Sequence, residues 1–252
     1  MITVNDIYLF LDKIAPFATK CSWDNCGLLI GDGNKQVKKI GFTLDLTLET
    51  LNRATEENVD LIITHHPVIF RPQNNFLKGN IAYETAIKGI SVISAHTCYD
   101  CADDGVSDIL AKTIGLTNIK TVETEEEPSC LRIGDINETT GEDLAKAVAD
   151  KLDTTVRLAG GGKAIKKVAV CGGSGGDFIS DVLKAGADAY VTGDLSHHHF
   201  LLAKETGLTI IGAGHYETEN ISVAPLMKRV AENFPDLICV YLEQENPVKF
   251  IR

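Results

Sequence analysis

Val59-Asp60-Leu61-Ile62-Ile63-Thr64-His65-His66-Pro67 is the stretch from which the fold can be read. Aliphatic residues run from Leu61 to Ile63, and a proline closes the segment after two histidines, the pattern of a buried strand bounded by a turn. In an open α/β sheet, ligands bind beyond the carboxyl ends of the strands, so His65 and His66 stand where a site would form. Vicinal histidines there can serve two metal ions, one ion and one substrate, or only a half-buried strand end. The pair alone does not choose.

On either side of this strand the chain alternates between helical and extended patterns. Val4 to Ile14 has apolar residues at 4, 7, 10, 11 and 14, with Thr3 as its cap. Lys38 to Leu44 reads as a strand ending at Asp45, and Thr47 caps a helix reaching about Asn58. Ala82 to Lys88 reads as helix, and Ile90 to Ala95 as the next strand. This alternation predicts βαβ units and a largely parallel sheet. Val122 to Pro128, acidic and closed by a proline, marks an expected boundary between a first α/β half, 1–125, and a second, 126–252.

The pattern then recurs. Thr140 to Leu152 is a capped amphipathic helix, Thr155 to Ala159 a strand, and Gly160-Gly161-Gly162 a turn. A constant offset lays Lys166-Lys167-Val168 on Lys38-Lys39-Ile40, Asp188 on Asp60 and Thr192 on Thr64. The next strands also match, Gly89 to Ala95 with Gly207 to Ala213, at a different spacing. Two structurally similar α/β halves with mixed, mainly parallel sheets are expected, with a site in the cleft between them.

Composition sets the outer limits. With 44% apolar and 23% charged residues, the 252-residue chain is that of a globular protein of one large or two small domains. No apolar run reaches the eighteen or so residues of a membrane span, and Met1 to Asp6 lacks a signal-peptide pattern. A cytoplasmic protein without a membrane partner is expected. The net charge of −11 argues against nucleic acid, whose phosphates are neutralised by Lys and Arg. Seven scattered cysteines favour thiols over a disulfide framework.

Ligand-type residues collect at the strand ends of both halves: His65, His66, His96, Asp100, His215 and Glu219. If a helix starts at His215, then His215 and Glu219 share a face and Glu217 points elsewhere. Imidazole with carboxylate suits zinc, manganese, iron, cobalt or nickel rather than calcium.

His65-His66-Pro67 after a hydrophobic strand, Ala95-His96-Thr97 with Asp100, and Gly214-His215 with Glu219 together resemble the GTP cyclohydrolase I type 2-like family, the Nif-three-like dinuclear metal proteins. Trp23-Asp24-Asn25 followed by Gly27-Leu28 fits that family's N-terminal pattern, and the resemblance runs through the whole chain. It implies two lobes binding two divalent metal ions between them, with His65, His66, Asp100, His215 and Glu219 as ligands. Glu219 is then the expected bridging carboxylate, with Asp100 the alternative. It also implies a toroidal homohexamer. The chain departs from the pattern in having Cys98 and Cys101 around Asp100. A redox pair or a thiolate ligand is one reading, and incidental loop cysteines the favoured one.

Two divalent ions acidify a bridging water and clamp an oxyanion, which is hydrolytic chemistry. The leading expectation is a metal-dependent hydrolase acting on a nucleotide or another phosphate-containing small molecule, with ring opening of GTP the activity the family name implies. His96 and His198, the latter within His197-His198-His199, are the candidate proton carriers. The alternative is a non-catalytic scaffold that stores, delivers or senses metal, or binds partner proteins. Gly172 to Gly176 reads as a tight strand-to-helix turn in preference to a phosphate loop. Asp45 reads as a strand-end or capping residue, with a place behind the ligands as the alternative, and Trp23 as a packing anchor in preference to a substrate stacker.

Overall fold

The strand read around Ile62 lies in the interior of a sheet, with parallel neighbours on both sides. The structure, a computed structural model, describes residues 1–125 and 128–249. Glu126 and Glu127 of the expected acidic connection lie outside the described residues. The chain divides into two compact units, Met1–Tyr99 with Val223–Pro247, and Asp100–Ser222 with the segment from Val248.

The first unit opens with α1 (Val4–Ile14), β1 (Gly27–Ile30), β2 (Lys39–Thr43), α2 (Leu48–Glu56), β3 (Leu61–Thr64), α3 (Ile81–Ile87) and β4 (Ser91–Ser94). Helix α4 (Thr97–Cys101) carries the chain onward to α5 (Val106–Thr113), β5 (Thr117–Thr121), β6 (Arg132–Thr139), α6 (Gly141–Leu152) and β7 (Arg157–Ala159). There follow β8 (Ile165–Cys171), α7 (Ile179–Lys184), β9 (Ala189–Thr192), α8 (His197–Thr206), β10 (Thr209–Gly212) and α9 (His215–Asn220). The chain returns to the first unit as α10 (Val223–Asn233) and β11 (Ile238–Tyr241).

Local chemistry sets the helix starts. Thr3 accepts the Asp6 amide while the Asp6 carboxylate accepts the Thr3 amide at 2.7 Å, a reciprocal cap that fixes α1 where its spacing predicts. Thr47 caps α2 in the same reciprocal way with Thr50, and the Thr140 hydroxyl caps α6 by accepting the Asp143 amide. Val4, Ile7 and Leu11 form the buried face of α1.

Among the described residues each unit holds one sheet. The first has the order β1-β4-β3-β2-β11, parallel except for β1. The second has the order β5-β6-β8-β9-β10-β7, and only β8, β9 and β10 run parallel. The expected parallel character therefore holds for the first sheet and for the centre of the second, whose outer strands are antiparallel.

The repeat survives at the level of single hydrogen bonds. Ile40 pairs with Leu61 and Thr43 with Thr64; in the second unit Val168 pairs with Ala189 and Cys171 with Thr192. The Asp60 carboxylate accepts the amides of Lys38 and Lys39, at 2.8 and 3.2 Å. Asp188 accepts those of Lys166 and Lys167, both at 2.9 Å. Each carboxylate braces the entrance of one strand from the start of the next.

The units differ from the halves expected at 125/126. Strand β5 pairs with β6, so the chain enters the second unit well before the acidic segment. Strand β11 pairs with β2, so residues 223–247 belong to the first unit.

Candidate metal-binding residues

In the first unit His65 and His66 follow the last residue of β3, and His96 follows β4 after Ala95. The two parallel strands end level, Thr64 opposite Ser94, which brings the three imidazoles into a triangle. Ring centroids are 5.0 Å apart for His65–His66, 5.2 Å for His65–His96 and 5.4 Å for His66–His96. One nitrogen from each ring lies within 4.8 Å of the others. His65 is almost fully buried.

An oxygen fixes each ring through its Nδ1. His65 meets the Ala95 carbonyl at 2.9 Å, His66 the Asp45 carboxylate at 2.7 Å, and His96 the Asp24 carboxylate at 2.9 Å. With Nδ1 protonated toward these acceptors, Nε2 carries the lone pair, the usual way a protein orients imidazole ligands. Asp45 is itself held by Gln244, whose amide nitrogen donates to it at 2.6 Å. Burial alone would raise the Asp24 carboxyl, but His96, Thr97 and Cys26 around it hold it well below the usual carboxylate range.

In the second unit α9 begins at His215, and Glu219 follows one turn later on the same face, their Nε2 and Oε2 atoms 3.1 Å apart. Glu217 turns away and accepts the Thr154 hydroxyl at 2.9 Å. The Nδ1 of His215 is held by Asp194 at 2.7 Å. Burial alone would push His215 down, yet Glu219 and Asp194 carry it up to about 9, so with no metal bound it is a cation between two carboxylates. A carboxylate oxygen of Asp100 lies within 4.8 Å of one of Glu219.

Glycine shapes this corner. Gly173 has φ +61°, and a Cβ there would stand 2.0 Å from Glu219 Oε1. Its lack of a side chain keeps room at the carboxylate of a residue only 3% exposed. Imidazoles with fixed tautomers in one unit, and a buried and a half-buried carboxylate with a further imidazole in the other, match the donor chemistry of zinc, manganese, iron, cobalt and nickel.

The amides of Gly172, Gly173 and Gly175 are donated to the hydroxyls of Ser107, Thr218 and Thr192, so this loop is the expected tight turn. His197 to His199 start α8. His198 and His199 line an open cavity of about 320 Å³ together with Arg157 and Asp194. Cys98 is buried, and the Cys101 thiol donates to the Pro128 carbonyl. No disulfide forms among the described residues. Trp23 departs from its expected role as a packing anchor, being 57% exposed. Sequence reasoning missed Asp24 and Gln244 as residues that position imidazoles. The Trp23-Asp24-Asn25 pattern carried a signal for Asp24, and nothing in the sequence marked Gln244.

A model of the Duf34/NIF3 (NGG1p interacting factor 3) family matches residues 2–247. A Clostridium perfringens protein named GTP cyclohydrolase 1 type 2 homolog is 32% identical, over 98% of this chain and 99% of its own. The crystal structure of Staphylococcus aureus protein SA1388 superposes with a TM-score of 0.90 at 28% identity, covering 99% of both chains. Reduced HcgD from Methanocaldococcus jannaschii gives 0.84 at 29% identity, over 96% of this chain and 98% of that one.

Proposed function

The chain belongs to the Duf34/NIF3 family, and from that premise we propose that it binds two divalent metal ions and uses them for hydrolysis. The ligands in this reading are His65, His66, Asp100, His215 and Glu219. One observation carries it: three imidazoles gathered at two strand ends, each with Nδ1 fixed by an oxygen so that Nε2 presents its lone pair. Metal-ligating imidazoles are characteristically held through the other ring nitrogen in this way, as His65 and His66 are, and the same device leaves Nε2 of His96 able to take a proton.

Bound ions of this class supply Lewis acidity and a water acidified toward neutral pH. The chain's own residues do the rest. Asp45 and Asp24 hold His66 and His96 in one orientation, and Asp194 does the same for His215. His96 is the proton carrier at the edge of the histidine triangle. His198 is a second carrier, lining the cavity that includes Asp194. The relatives' name supplies the first reaction to try, opening of the purine ring of GTP. A homohexameric, cytoplasmic protein is part of the same proposal.

The test loads chelator-treated protein with manganese, iron, zinc, cobalt or nickel and assays GTP and a panel of phosphoesters. Turnover that follows metal content supports the reading, and light scattering checks the hexamer. A second reading, a scaffold for metal storage, delivery or sensing, is favoured by one feature. Both acidic side chains beside the first unit's histidines are already committed, Asp24 to His96 and Thr97, Asp45 to His66 and Gln244, which leaves neither as a general base. Stoichiometric metal binding without turnover of any substrate decides for the scaffold.

A further inference from the structure

Trp23 and Phe70 are both exposed, at 57% and 42%, although large aromatic side chains gain most from burial. Their exposure does not come from loose chain. Asp24, the next residue, accepts the Thr97 amide at 3.1 Å and the Thr97 hydroxyl, as well as bonding His96. Asn25 donates its side-chain amide to the Ile69 carbonyl at 2.6 Å, one residue before Phe70. The loop bearing Trp23 is thus tied on one side to the loop bearing His96 and on the other to the loop bearing Phe70. The three rings form a fixed corner: Trp23–Phe70 centroids are 5.9 Å apart, Trp23–His96 6.0 Å and Phe70–His96 6.2 Å. His96 belongs at once to this corner and to the histidine triangle.

A rigid, exposed aromatic surface is an energetic cost in the empty protein and an advantage in a complex, because its side chains lose little freedom on binding. Aromatic faces recognise other flat π-systems with little regard to sequence or substituent. We propose that Trp23 and Phe70 form a stacking surface for a planar heteroaromatic ring, a nucleobase, held beside the histidines of the first unit. This names the substrate class for the hydrolytic reading and rests on it: the ring stacks at Trp23 and Phe70 while the bond to be cleaved lies toward His65, His66 and His96.

Trp23 is the only tryptophan of the chain, so its fluorescence reports this corner alone. The experiment titrates the full chain, freed of metal by chelator, with guanosine, adenosine and GTP, and with ribose 5-phosphate and inorganic triphosphate as ligands without a ring. The nucleosides and GTP quench Trp23 saturably, and the two ring-free ligands do not. Phe70→Leu, which keeps an apolar side chain but removes the ring, weakens nucleoside binding roughly 5- to 100-fold, while Phe70→Tyr retains it. Equal response to ring-free ligands, or unchanged affinity in Phe70→Leu, overturns the proposal. So does an emission change that follows protein concentration instead of ligand, which would assign the corner to contact between copies. Hydrolysis of a simple phosphoester by metal-loaded protein that shows no nucleoside quenching would remove the stacking surface and leave the hydrolase reading. Saturable quenching without turnover under any metal would do the reverse.

Discussion

His215 shows how far one residue's chemistry depends on what surrounds it. Exposed imidazole is mostly neutral at pH 7, but between Glu219 and Asp194 the ring holds its proton to about 9. The folded value lies above the ordinary 6.5, so the charged form stabilises the metal-free fold. That contribution is complete below about pH 6.5 and is lost as pH rises through 9. An NMR titration of chelator-treated protein will place His215 well above the ordinary 6.5, and Glu219→Gln will bring it down. A His215 value near 6.5 would refute the pairing. Gly173 invites a second substitution. Alanine there must accept φ +61° and displace the Glu219 carboxylate, so Gly173→Ala will cost roughly 1–3 kcal/mol in urea denaturation and weaken metal binding. Gly162→Ala, whose Cβ meets nothing within 4 Å, serves as the control.

At the scale of elements, the two units repeat one device, an aspartate that opens a strand and clamps the entrance of its neighbour. Each carboxylate takes two backbone amides, so Asp60→Ala and Asp188→Ala will each destabilise the chain by about 1–3 kcal/mol in denaturant melts, the net worth of hydrogen bonds to a charged acceptor. A loss at one position and none at the other would mean that the repeat is one of shape alone. The same elements show what a sequence can disclose. Capped helices and the buried strands β2, β3, β4, β8 and β10 were legible because continuous apolar runs and Thr caps are local signals. Strand β5, Thr-Asn-Ile-Lys-Thr, is exposed along most of its length and has no apolar alternation to read. Strand β11 lies at a sheet edge with Ile238 exposed, and its partner β2 is nearly 200 residues earlier, a pairing no local pattern encodes. The histidines were legible as ligand types at strand ends. Their arrangement as a triangle with His96 was not, because it depends on β3 and β4 ending in register.

For the whole molecule, metal held by the proposed ligands stabilises the folded chain against the unfolded one. A ligand that binds only the folded state at a hundredfold excess over its Kd stabilises it by about 2.7 kcal/mol per site. For a chain of this size each kcal/mol is worth roughly 2–4 °C in Tm. Two equivalents of zinc or manganese will therefore raise the melting temperature of chelator-treated protein by roughly 10–20 °C in calorimetry. The shift will grow between pH 6 and 8, because His215 must release its proton before it can donate to a metal. The variant combining His66→Ala with Glu219→Ala will keep its fold but lose most of the metal-dependent shift. Glu217→Ala, whose native carboxylate faces Thr154, will show the full shift from its own metal-free baseline. A shift retained in the double variant, or lost in Glu217→Ala, would place the ions on other residues, and elemental analysis of the same samples would say how many remain.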